Sequence, residues 1–103
     1  MIRPLSDIYE KQAQLHEVAA AATSDQVMAL RRRAEAVRQL ASAKRDEAAA
    51  VEKEHEKARL EHEVGLSERE ATIMEREIET LEAEQARDLA QAATARRKIG
   101  LSP

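Results

Sequence analysis

Cysteine, tryptophan and phenylalanine are absent from this 103-residue chain, which holds one tyrosine (Tyr9), two glycines (Gly65, Gly100) and two prolines (Pro4, Pro103). Without cysteine there is no disulfide framework and no thiolate zinc site, which fits a reducing, cytoplasmic setting. With glycine, proline and aromatics so scarce, strand and turn formers are nearly missing, and the chain reads as helix. Large apolar residues are also few. The hydrophobic share is 43%, but 21 of those residues are alanine and only 22 are Ile, Leu, Val or Met. Alanine favours helix strongly and buries little surface, so an elongated all-α form is expected rather than a compact core. The longest apolar run, Val18 to Ala22, is too short to span a membrane, and Asp7 and Glu10 argue against a transit peptide. The net charge of -3 gives no general attraction for nucleic acid.

What is present begins with Val64-Gly65-Leu66-Ser67-Glu68-Arg69-Glu70, a helix stop followed at once by a helix start. Glycine just past a helix end can take the left-handed conformation of a Schellman motif, with Leu66 as its apolar companion. Ser67 and Glu70 have the S-x-x-E spacing of a capping box. This punctuation predicts a long antiparallel coiled-coil hairpin turning at 65–67, with helices over 24–64 and 67–99. Pro4, Ser6 and Asp7 suit the start of a shorter N-terminal helix over 5–22, carrying the stripe Leu5, Ile8, Leu15, Val18 and Ala22. Thr23-Ser24-Asp25-Gln26 reads equally as a capping box between helices or as polar surface on one continuous helix. If the chain breaks there, the first helix can fold back as a three-helix bundle at the open end. The whole is read as one elongated domain over 1–103.

Two heptad seams carry the hairpin. Val27, Leu30, Ala34, Val37, Ala41, Lys44, Ala48 and Val51 alternate three and four apart, and the frame extends to His55, Ala58 and His62. Ala71, Met74, Ile78, Leu81, Gln85, Asp88, Ala92, Ala95 and Ile99 follow a different frame. A turn at Gly65 absorbs that jump. It makes facing residue numbers sum to 132 or 133, with Lys44 opposite Asp88 and Ile78 opposite His55. The best-defined apolar seam positions are Leu30, Val37, Val51, Met74, Ile78, Leu81 and Ile99. Met28, Leu40, Leu60, Val64, Leu66, Ile73 and Leu89 lie off the seam, and apolar residues left over point to a protein partner or a homo- or hetero-oligomer.

Candidate sites follow from that layout. Leu60, Val64 and Leu66 ringed by Glu61, Glu63, Glu68 and Glu70 make an acidic-rimmed apolar tip able to bind a partner. Arg31, Arg32 and Arg33 meet Arg96, Arg97 and Lys98 in a basic pole at the open end. No aromatic is at hand there to stack bases, so ordinary helix-end charge explains the pole better than nucleic-acid binding. His55 and His62 share a face but lie roughly 10 Å apart along the axis, too far to hold one ion, and Glu52 with His55 gives a single E-x-x-H where di-iron bundles need two. No cofactor or metal site is expected. Nucleophile elbow, phosphate-binding loop and H-E-x-x-H are all missing, so no catalytic role is expected either.

In outline, a long aromatic-poor hairpin rich in Arg, Glu and Ala is similar to the coiled-coil stalk proteins of type III secretion and flagellar export. That resemblance, which covers overall pattern only, implies engagement of an export ATPase. The stretch Glu54-His55-Glu56-Lys57 through Glu61-His62-Glu63 resembles the coiled-coil half of the mitochondrial ATP synthase inhibitor. The residues themselves support an assembly, adaptor or scaffold subunit. Alternatives are the export-type stalk or chaperone, and a regulator whose acidic tip enters a large enzyme.

Overall fold

The computed structural model describes residues 3–101. Two α-helices of 48 residues each, α1 (Arg3–Ala50) and α2 (Glu54–Leu101), pack against each other as an antiparallel hairpin. No strand occurs among the described residues. The connection is Val51-Glu52-Lys53, the length of a short αα-hairpin loop. The Val51 amide still donates to the Glu47 carbonyl at 3.1 Å, and the Lys57 amide donates to Lys53 at 3.0 Å, so both helical ladders run up to the turn. Glu54 and Glu56 in the first turn of α2, and Lys98 in its last, oppose the helix dipole.

The turn therefore lies at 51–53 and not at Gly65. No glycine among the described residues has positive φ, and Gly65 sits inside α2 where an added Cβ would meet nothing within 4 Å. Ser67 does not cap a helix but is buried in the seam. The energetics favour this register. A turn at Gly65 puts His55 and His62 in the seam and leaves Leu60 and Val64 outside; the observed turn exposes both histidines and buries Leu60 and Val64. Burying an aliphatic side chain contributes about 1.5–3 kcal/mol, whereas a glycine inside a helix costs about 1 kcal/mol.

The separate helix over 5–22 and the three-helix bundle are likewise absent. Helix α1 runs unbroken through 23–26, where the Thr23 hydroxyl donates to the Ala19 carbonyl at 3.0 Å instead of capping a new helix. With neither glycine nor proline between Leu5 and Ala50, nothing in the sequence of α1 interrupts its ladder.

The chain divides into two compact units. The first takes its described residues from 3–27 and 79–101, and the second is Met28–Ile78. In the first unit the buried residues are Ala13, Ala20, Val27, Ala92 and Ala95. The second buries Ala34, Ala41 and Ala48 from α1 and Leu60, Val64, Ser67, Ala71, Met74 and Ile78 from α2. On α1 the buried residues recur every seven from Ala13 to Ala48. On α2 they alternate four and three apart from Leu60 to Ile78. That is heptad order, with small residues on one helix permitting close approach.

Candidate interaction surface

Two polar pairs cross the seam, one in each unit. In the first unit His16 meets Asp88, Nδ1–H donating to Oδ1 at 2.9 Å. In the second, Lys44 reaches Glu63 at 3.5 Å. The expected Lys44–Asp88 pair is thus replaced by two different pairs, because moving the turn from 65 to 52 moves every facing partner. For the pairs 16/88 and 44/63 the numbers now sum to 104 and 107, in place of 132–133.

At the margins of the seam, Arg38 pairs with Glu75 at 2.6 Å and Arg45 with Glu68, both within the second unit. In the first, Arg96 spans two carboxylates, with Nε donating to Glu17 at 2.8 Å and Nη1 to Glu10 at 3.0 Å. Hydrogen bonds that Arg96 donates to the Glu17 and then the Glu10 carboxylates raise its pKa further above the already high ordinary value. Lys98 lies 5.4 Å from the centre of the Tyr9 ring, a cation–π contact. These groups are exposed, so they steer register more than they stabilise.

The residues named for the acidic tip do not form one. Leu60, Glu61, Glu63, Val64, Leu66, Glu68 and Glu70 all lie along α2, beginning seven residues beyond the turn. Leu60 and Val64 are buried, Glu63 and Glu68 are engaged with α1, and Leu66 is exposed. The residues named for the basic pole are divided between the units. Arg31, Arg32 and Arg33 belong to the second unit, and Arg96, Arg97 and Lys98 to the first, where Arg96 is held by glutamates. Of the seam residues, Met74 and Ile78 are buried, while Leu30, Val37, Val51, Leu81 and Ile99 are half-buried. His55 and His62 are exposed. Among the described residues no three His, Asp or Glu side chains gather as a metal would require. No helix among them is long and apolar enough to cross a membrane.

The surface itself is the unusual feature. Leu5, Ile8, Leu15 and Val18 are between 46% and 66% exposed, whereas Ala13 and Ala20 on the same helix are 0% and 2% exposed. Met28 and Leu40 on α1, and Leu66, Ile73 and Leu89 on α2, are also about half exposed or more. On α1 the inward face is made mostly of alanine, and many of the largest side chains of both helices turn outward. Position 5 to 8 to 15 to 18 repeats three- and seven-residue steps, so this second stripe runs down one face of α1, away from its alanine seam. The sequence displays the stripe plainly; the alanines at 13, 20, 34, 41 and 48, seven or fourteen apart, are the signal for the inward face.

The fold and surface define an all-α helical hairpin with an unpartnered apolar face. Comparison with protein-family models, with curated proteins and with solved structures finds no match to the chain.

Proposed function

We propose that this chain is a non-enzymatic coiled-coil interaction module, an assembly, adaptor or scaffold subunit that binds protein through its outer helix faces. One observation carries the reading: Leu5, Ile8, Leu15 and Val18 are exposed while Ala13 and Ala20 fill the interior. A hairpin that needed only its own fold would gain more by turning the leucines inward, at about 25 cal/mol per Å² of apolar surface. Contiguous apolar faces on soluble proteins mark sites of association. The sequence supports a non-catalytic role, because its carboxylates and histidines fall in no arrangement that positions a nucleophile, base or ion.

The test compares proteins retained from a cell extract by the unsubstituted chain and by a variant carrying Ile8→Lys, Leu15→Lys and Val18→Lys. The module reading expects defined proteins, copies of the chain included, to be retained by the first and lost from the second. Identical retention by both, with helicity preserved, would contradict it.

A further inference from the structure

We infer that one margin of the unit Met28–Ile78, built on Leu40 of α1 and on Leu66 and Ile73 of α2 beside Glu70 and Glu77, receives a basic amphipathic helix of another protein. This rests on the interaction-module reading and names the chemistry of the partner.

The two margins of that unit differ in charge. On the first, α1 sets Arg38 and Arg45 against Glu75 and Glu68 of α2, and the ion pairs close it. Two residues along a helix turn the side chain by about 200°, so the second margin is read two positions on from each of these four. There α1 offers Leu40 and Glu47 in place of the arginines, and α2 offers Glu77 and Glu70. Among the described residues no ion pair or hydrogen bond engages the side chain of Glu70 or Glu77. Neither has a cation three or four residues away on α2.

The second margin also carries a heptad strip on each helix. On α2, Glu63, Leu66, Glu70, Ile73 and Glu77 alternate three and four apart, and on α1 Arg33, Ala36, Leu40, Ala43 and Glu47 do the same. Leu40 and Leu66 sum to 106, against 107 for the pair Lys44–Glu63, so they stand at one level of the two helices. They are 51% and 49% exposed, and Ile73 is 64% exposed. Strips spaced in this way are what a further helix of a coiled coil packs against. The leucines and Ile73 call for apolar side chains at heptad spacing, and the glutamates call for Lys or Arg beside them. The same margin of a second copy would bring Glu47, Glu63, Glu70 and Glu77 with Arg33 alone to offset them, so charge favours a foreign basic helix.

The experiment measures, by fluorescence anisotropy, the binding of a dye-labelled three-heptad peptide to the purified full chain. The peptide has leucine at its core positions and lysine beside them, and a counterpart has glutamate in place of each lysine. The lysine peptide should bind, and should weaken by about 10-fold or more at about 1 M salt, where screening reaches about 3 Å. The glutamate peptide should not bind. Leu40→Lys, and separately Glu70→Lys together with Glu77→Lys, should each weaken the lysine peptide by about 10-fold or more, with helicity preserved by circular dichroism. Glu35→Lys, in the groove beside Arg38 and Glu75 on the first margin, should leave its affinity unchanged.

Equal affinity for the two peptides, or indifference to Glu70→Lys with Glu77→Lys, would overturn the basic helix as occupant. Indifference to Leu40→Lys would overturn this margin as the site. A chain that doubles its mass in sedimentation, and loses that association on Leu40→Lys, would assign the margin to a second copy instead. If neither peptide binds while the triple-lysine variant still loses proteins that the unsubstituted chain retains from extract, the basic-helix inference falls and the module reading survives.

Discussion

The two units are built on one heptad plan and stabilised differently. The unit that holds the turn packs Leu60, Val64, Met74 and Ile78 of α2 against Ala34, Ala41 and Ala48 of α1, so large apolar side chains are buried on one helix by small ones on the other. The unit of the chain ends buries four alanines and Val27, and leaves Leu5, Ile8, Leu15 and Val18 outside. What it gains instead is polar: His16 with Asp88, Arg96 with Glu10 and Glu17, and Lys98 over Tyr9. Exposed ion pairs contribute little stability, whereas buried aliphatics contribute a great deal. The difference teaches that one unit is held by its own large apolar side chains while the other joins a seam of small residues with polar pairs that set its register.

The largest effect should separate the units directly. Truncating Ile78→Ala in the turn unit should cost about 2–4 kcal/mol in denaturant unfolding, through lost burial and the cavity left behind. In the other unit the damaging change runs the opposite way. Enlarging Ala20→Leu should cost about 1–3 kcal/mol, since a seam of alanines leaves no room for added methylenes. A stabilising Ala20→Leu would break the comparison by showing that the first unit is underfilled.

A smaller effect of opposite sign is expected at Gly65. Because α2 is continuous there and an added Cβ meets open space, Gly65→Ala should raise stability by about 1 kcal/mol. Loss of stability would return a left-handed turn to that position. The smallest effect belongs to Arg96→Gln. Its removal should speed amide exchange near the end of α2 at low salt, with little effect at about 1 M, where screening reaches about 3 Å. An effect undiminished by salt would mean that the Arg96 cluster acts through packing.

Much of this is legible in the residues. The helical class follows from the scarcity of glycine, proline and aromatics, and the frames from Val27 to Val51 and from Ala71 to Ile99 mark seam positions, whereas the hairpin is read from punctuation at Gly65 that lies inside α2. The ambiguity lies between them. Extending the first frame through His55, Ala58 and His62 pushes the frame change to Gly65, whereas assigning Leu60, Val64 and Ser67 to the downstream frame places it before residue 60. Val51-Glu52-Lys53 carries no turn residue, so local chemistry does not reveal it; the two buried faces set it. The stripe of α1 misleads for a related reason. Large residues ordinarily face inward, and in a chain with 21 alanines the repeat at 13 and 20 does not stand out. The pairs His16–Asp88 and Arg96–Glu10 depend wholly on register and become visible only with it.

Register is the claim on which the rest depends, and a zero-length carbodiimide crosslink tests it without altering the chain. The reagent joins an ammonium to a carboxylate only where the two are already in contact. With dilute protein and mapping of crosslinks within one chain, Lys44 should be joined to Glu63, its partner at 3.5 Å. A Lys44–Asp88 crosslink in its place would contradict the account, because only a turn at Gly65 brings those two side chains together.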